Sequence, residues 1–288
     1  MAITTTSVIT DTIPTIIEKA RLTEQFAAVM PALSWKITKK KHGGTTVNVP
    51  YFGSLTAYSL SEGVDMVMPQ SLADTNVQIT PAEVGAQVLV TWKLVRDNQE
   101  DIISVAGELL GQAMATKADS DLIGQLDDGT VSLGSGAAAT LGQIAAARAI
   151  LAGNAVASGG PCPGPYSAVL HPYVMLDLVD VLTPTVPGGT TPATTPGAMT
   201  DDVLKNYAIG RMFGVTMYED GNISTTTSKG GMFGPKSVIY AVSKEWDVYP
   251  EDDASLRATE LNVVGEYGVG EYLAGWICEL YHDATTPA

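Results

Sequence analysis

NQEDIISVAGELLGQAMATKADSDLIGQL, Asn98 to Leu126, is the stretch that decides how the rest of the chain is read. Ile103, Ala106, Leu110, Met114, Ala118 and Leu122 recur at steps of three and four, and Ile102, Leu109 and Ala113 widen the stripe. Such steps return side chains to one face of a helix. At 1.5 Å per residue the span predicts a helix about 44 Å long, longer than most globular helices. Gly107 and Gly111 each cost about 1 kcal/mol against alanine, so packing rather than propensity must hold it.

Upstream the period changes to two. Thr45 to Tyr51 alternates and is β-branched, and Pro50 favours an edge strand. Ser54 to Leu60 is a candidate second short strand. Ser61 to Ala73, with Glu62, Gly63, Met66, Met68 and Pro69, is irregular. Val77 and Ile79, then Val84, Val88, Val90, Trp92 and Leu94, resume the alternation. Residues 45–95 thus predict two β arms around an irregular tip. A two-stranded ribbon is marginal alone in water and needs a surface to lie on. Leu55, Tyr58, Leu60, Val64, Met66, Val67 and Met68 crowd apolar side chains into that tip with no partner evident inside the hairpin.

Before the ribbon, Trp35 to His42 holds Lys36, Lys39, Lys40 and Lys41, a quarter of the basic residues. They serve either as a contact to acidic protein or DNA phosphate, or as a solvated loop. Thr4 to Met30 is threonine-rich and then helix-like. Pro14 suits a first helical turn, and Ile13, Ile16, Ile17 and Ala20 sit on a different face from Phe26, Val29 and Met30. An arm lying on another surface and an ordinary core helix both fit.

Downstream, Asp127 to Thr140 is a Gly/Ser/Ala loop and Leu141 to Leu151 a short helix. Gly159 to Pro165 is a turn around Cys162. Ala168 to Leu170 is a strand, ended by His171-Pro172 and a helix through Leu182. Thr183 to Met199 is low-complexity and reads as an exposed loop. Thr200, Asp201 and Asp202 cap a short helix. From Gly210 on the chain is β-rich, with candidate strands at Met212–Tyr218, Val238–Val242, Trp246–Tyr249, Leu256–Val264 and Tyr272–Tyr281.

The 288 residues carry a formal net charge of −15, the wrong sign for a dedicated nucleic-acid binder or an anionic-lipid surface. Charged residues are 16%, below the roughly 25% of an ordinary domain, while 45% are hydrophobic. An apolar-rich, charge-poor surface points to coverage by a partner. Cys162 and Cys278 are too few and too far apart for a disulfide scaffold and read as small reduced hydrophobes, which suits the cytosol. No signal peptide or membrane span is expected.

Enzyme motifs are absent: no phosphate loop, no His-Glu-x-x-His, no nucleophile elbow, no Cys-x-x-Cys. His42, His171 and His282 are isolated. Asp201-Asp202 complements a helix dipole, and Glu251-Asp252-Asp253 near Glu245 and Asp247 reads as a solvated acidic turn rather than a cation site. Trp246, Tyr249, Tyr267, Tyr272 and Trp276 read as core or interface packing. No catalytic, cofactor-binding or metal-ligating set is assigned.

The order of elements — arm, hairpin with irregular tip, long helix, mixed α/β region, closing strands — resembles the major capsid proteins of tailed phages with the Hong Kong 97-like fold. Val47-Asn-Val-Pro50, Ala57, Ser61-Glu-Gly63 and Pro69 resemble that family's strand and extended-loop signature. Ala168-Val-Leu-His-Pro172 resembles the start of its axial-domain helix. Gly210, Gly214 and Val215 resemble a further strand opening, and Trp246-Asp-Val-Tyr249 through Leu280 the strands that return to its peripheral domain.

The resemblance implies an α+β fold with an N-arm at 1–34, the extended β-hairpin loop and peripheral-domain strands at 35–96, a spine helix and following loop at 97–134, an axial domain at 135–245 and a return to the peripheral domain at 246–288. It implies pentamers and hexamers tiling an icosahedral shell around double-stranded DNA, with portal, scaffold and cement proteins as partners, assembled in the host cytoplasm. Intersubunit contacts would then fall on Leu55, Tyr58, Leu60, Val64, Met66, Val67 and Met68 in the loop, Ile13, Ile16 and Ile17 in the arm, and Lys39, Lys40 and Lys41. Since the arm begins at Met1, the scaffold is expected to be a separate protein or absent. No lysine lies between His42 and Trp92, so the isopeptide link some members form from a loop lysine is not expected. The rival readings are another virion protein such as a tail-tube subunit, against which the long helix speaks, and a cytosolic hydrolase using a carboxylate pair.

Overall fold

The computed structural model describes residues 27–39, 44–67, 69–72, 74–97, 102–155, 159–182 and 210–286. Its helices are α1 (Met30–Leu33), α2 (Trp92–Asp97), α3 (Ile102–Gly124), α4 (Leu141–Ala152) and α5 (Pro172–Leu182). Its strands are β1 (Trp35–Thr38), β2 (Val47–Phe52), β3 (Asp74–Ile79), β4 (Ala82–Thr91), β5 (Val131–Ala137), β6 (Tyr166–Leu170), β7 (Arg211–Met212), β8 (Val215–Glu219), β9 (Ser228–Phe233), β10 (Val238–Asp253), β11 (Ala258–Glu271) and β12 (Ile277–His282). They form a four-stranded sheet ordered β1-β10-β11-β4, a six-stranded sheet ordered β5-β12-β9-β6-β8-β7, and the β2-β3 ribbon.

The long helix belongs to two cores. Ala106, Leu110 and Met114 in its first half pack on Val90, Leu94, Leu261 and Val263 of the four-stranded sheet and α2. Ala118, Leu122 and Ile123 in its second half pack on Phe233, Val238, Tyr240, Tyr267 and Ile277, where the two sheets meet. The apolar stripe is therefore a seam along the molecule. Ile103, expected on it, is exposed, and its neighbour Ile102 packs against the first core instead.

The opposite face of the four-stranded sheet receives the root of the ribbon. Val49 and Ile79 bury against Ile239 and Ala241, with Trp35 and Ile37 beside them. Gly268 makes this seat possible: a Cβ there would come within 2.8 Å of Ile79 Cγ2. The six-stranded sheet carries α4 and α5, whose Ile144, Ala147, Leu151, Val174 and Leu178 share a core with Ala168, Met232 and Leu280. A capping box starts α4, with the Gln143 N–H donating to Thr140 Oγ1 and the Thr140 N–H donating to Gln143 Oε1. Buried His171 ends β6 as expected and starts α5, its Nδ1 accepting from the Tyr173 N–H at 3.1 Å. Burial holds its pKa below the usual histidine value.

Several sequence expectations are corrected. Ser54–Leu60 is not a strand, since β2 and β3 stop pairing at Phe52 and Asp74. The segment read as a loop after the long helix contains β5, which lies parallel to β12. β9, Ser-Lys-Gly-Gly-Met-Phe, was not expected, because glycine is poor in strands. Its glycines answer to space: a Cβ on Gly230 would lie 2.3 Å from the Val169 carbonyl oxygen. The two strands expected at 238–242 and 246–249 are one, β10, irregular near Lys244. The closing strands do not stay together: β12 leaves β10 and β11 and pairs with β9 in the six-stranded sheet.

Candidate intersubunit surfaces

The ribbon is fixed at its root and bare at its tip. At the root, Tyr272 meets the rings of Trp35, Tyr51 and Trp276 with centroids 5.7, 6.0 and 5.8 Å away, and its hydroxyl donates to the Pro50 carbonyl. Between Phe52 and Asp74 the described residues form no helix or strand. The two limbs of the tip are tied by Gln70, whose Oε1 accepts from the Thr56 N–H at 2.8 Å and whose amide donates back to the Thr56 carbonyl.

The expected contact residues sit on this tip. Leu55, Tyr58, Leu60, Val64, Met66 and Val67 are between 56% and 75% exposed. Phe52 and Leu72, equally exposed, extend the group. Phe52 continues the alternating strand and Leu72 stands alone among polar residues, so neither carried a sequence signal. Met68, Ile13, Ile16, Ile17, Lys40 and Lys41 lie outside the described residues, as do Thr183–Met199 and the Asp201-Asp202 pair.

Lys39 does not join the tip. Its Nζ lies 3.9 Å from Glu266 Oε1 within the chain, while Lys36 pairs with Glu245 at 2.7 Å. Further exposed large apolar side chains lie on or beside the four-stranded sheet and its helices: Trp92, Val95, Ile103, Trp246, Val248, Tyr249 and Leu256. Trp246 and Tyr249 are thus not core residues, although Lys244 donates to the Tyr249 hydroxyl at 2.8 Å. In the acidic turn, Asp253 Oδ1 accepts from the Ser255 N–H and hydroxyl and the Leu256 N–H. These bonds, the Ser255 hydroxyl foremost, hold its carboxyl below the usual range.

The β2-β3 ribbon is thus buried at its root and exposed where it is most apolar. The family model described as phage capsid protein matches residues 74–277, from β3 to the start of β12. The chain belongs to the phage capsid protein family. It is a major capsid protein of the tailed-phage, Hong Kong 97-like kind, and the tail-tube and hydrolase readings are not favoured. Solved structures agree in fold at low sequence identity. A Mycobacterium phage Che8 structure matches with a TM-score of 0.72 at 16% identity, covering 93% of this capsid protein and 96% of that chain. The head structure of Helicobacter pylori bacteriophage KHP40 matches at 0.68 and 12%, covering 99% and 98%. A Gordonia phage Cozz structure matches at 0.72 and 10%, covering 96% and 93%. No curated protein matches the capsid protein by sequence. Among its described residues no helix is long and apolar enough to cross a membrane.

Proposed function

We propose that the capsid protein forms pentamers and hexamers that close an icosahedral head around double-stranded DNA, acting as a structural subunit and not an enzyme. The four-stranded sheet with α3 serves as the peripheral domain and spine, the six-stranded sheet as the axial domain, and residues 53–73 as the extended loop that clamps a neighbouring subunit. Portal, scaffold and cement proteins are its partners, and assembly takes place in the host cytoplasm. The observation that carries this reading is the exposed apolar tip on a ribbon whose root is buried. Burying one large apolar side chain contributes roughly 1.5–3 kcal/mol, and the tip can collect that only across a subunit boundary. A net charge of −15 lets the shell hold DNA without adhering to it.

Expressed capsid protein, with scaffold if required, is expected to sediment as megadalton particles that are icosahedral by electron microscopy. Replacing Ser54 to Asp74 with a short Gly/Ser turn should leave a soluble subunit that melts cooperatively by circular dichroism but gives no particles in a sucrose gradient. Normal shells from that variant refute the clamp. The stretch between His42 and Trp92 offers no lysine, so subunits are held non-covalently. Boiled, reduced particles should run as one band near 30.1 kDa; a ladder refutes this.

A further inference from the structure

A cleft of about 440 Å³ opens where the ribbon's root meets the end of β11 and the C-terminal end of α3. Tyr51, Ile79, Gln125, Glu271, Tyr272 and Leu273 form part of its wall. Glu271, the last residue of β11, is the one carboxylate among the described residues of that wall. Its Oε2 is buried and, among the described residues, no donor reaches it. Asp128, in the turn after α3, is close enough to add to the effect of burial in raising the Glu271 pKa. Among the described residues no cation pairs with either carboxylate. A buried carboxylate oxygen without a donor is costly in the isolated subunit. The cleft thus carries a negative charge with no counterpart in its own chain.

The chemistry of the wall narrows the occupant. A hard divalent cation surrounds itself with about six to eight oxygens, and this wall offers a single carboxylate among tyrosine rings and aliphatic side chains. A guanidinium needs only that carboxylate, forking onto both of its oxygens, and it lies well on a tyrosine face. The last torsion of a glutamate side chain is soft, so both Glu271 oxygens can turn toward it.

The opposite end of the same sheet carries the complement. Arg257 lies in the turn between β10 and β11, about 45 Å from Glu271 along the strand, too far to pair within one chain. It is exposed. Its backbone carbonyl accepts the Trp92 N–H at 2.9 Å, and its φ of 52° is one that a residue with a side chain rarely adopts. The acids of the turn do not claim it. Asp253 accepts from Ser255 and Leu256, Asp252 accepts from the Thr259 hydroxyl, and Arg257 forms no ion pair with these or with Glu251. Lys93, next to Trp92, is exposed and equally without an acidic partner. Unpaired acid at one end of a sheet and unpaired cations at the other fit a head-to-tail contact between copies, the kind that closes rings.

We propose that the cleft receives the Arg257 side chain of a neighbouring copy, its guanidinium forked onto Glu271. The contact rests on the shell reading above and gives it a second point of attachment. It ties the ribbon's root of one subunit to the β10–β11 turn of the next.

Assembly and folding should respond to Glu271 in opposite senses. Glu271→Gln loses no bond within the subunit, so its urea midpoint should hold or rise, while the assembly threshold by light scattering rises at least about tenfold. Arg257→Gln should raise the threshold alike, and the double variant no further than the larger single effect. An unmoved threshold in either single variant, or full additivity in the double, overturns the contact. Should Glu271→Gln not fold, carbodiimide treatment of Arg257→Lys particles mixed from light and ¹⁵N-labelled subunits decides. A light–heavy peptide pair joining position 257 to Glu271 supports the contact, and its absence overturns it. Wild-type protein that forms no particles refutes the shell itself, whereas particles lacking this link refute the contact alone.

Discussion

Replacing Leu55, Leu60 and Met66 together by serine separates assembly from folding in a single variant. The three side chains are 60%, 64% and 69% exposed, so the isolated subunit has little of their burial to lose. Full burial of such a side chain contributes roughly 1.5–3 kcal/mol, and the two thirds still open to a neighbour therefore carry about 1–2 kcal/mol each, or about 3–6 kcal/mol per subunit for the three. At 1.4 kcal/mol per decade that is about a hundredfold to ten-thousandfold in association. Within the subunit, exposed substitutions away from caps and cores cost about 0.5 kcal/mol or less each. Light scattering against subunit concentration reads the assembly threshold, and urea unfolding reads the fold. The threshold should rise by at least about a hundredfold while the urea midpoint scarcely moves. A threshold shift under tenfold removes the tip from the interface. A loss above about 1 kcal/mol per substitution in urea means that the tip is packed within its own chain.

Three further outcomes follow from the interior. Gly230→Ala places a Cβ 2.3 Å from the Val169 carbonyl oxygen, so β9 and β6 must part, and soluble expression or the melting temperature should drop sharply; an unchanged melt contradicts the close strand approach. Thr140→Ala removes the α4 cap and should cost about 0.5–2 kcal/mol in urea, with assembly retained at saturating subunit. Burial, helped by the Glu279 carboxylate, pushes the Cys278 thiol up to about 12, and burial also raises Cys162. Iodoacetamide at about pH 8 should therefore label neither cysteine until denaturant is added, and rapid labelling of the folded subunit contradicts their burial.

What could be read from the sequence was what periodicity writes. The steps of four from Ala106 to Leu122 gave α3, and the alternation after Val77 gave β3 and β4. The tip was legible in a different way, as apolar residues with no period and no partner. Glycine hid the rest. β5 carries Gly134, Ser135 and Gly136 at positive φ, which spells a loop to any propensity argument, and β9 uses glycine for close approach. Trp246 and Tyr249 read as core or interface packing, and their exposure removes the first of these, a choice that alternation alone cannot make because it shows only that the two faces of a strand differ. Buried Asp119 carries no local signal at all, since the Val29 and Met30 N–H groups and the Asn222 amide that it accepts lie 90, 89 and 103 positions away and meet it only through the fold.

The distribution of burial explains why such a subunit can serve as a tile. α3 shares one core with the four-stranded sheet and a second with the junction to the six-stranded sheet, so neither sheet can turn without breaking contacts along the helix. The closing strand reinforces this, because β12 follows directly from β11 yet pairs in the other sheet. The ribbon's root meets Tyr272 edge-to-face, through Tyr51, at the point where the chain makes that crossing. A load applied at the tip is therefore delivered to the most cross-braced part of the molecule. In the proposed shell, rigid-body placement of a neighbour would cost the subunit little internal strain, and the exposed apolar tip would supply the association energy. Had the same side chains been distributed over the sheets, they would have strengthened the isolated fold and left nothing to drive a shell closed.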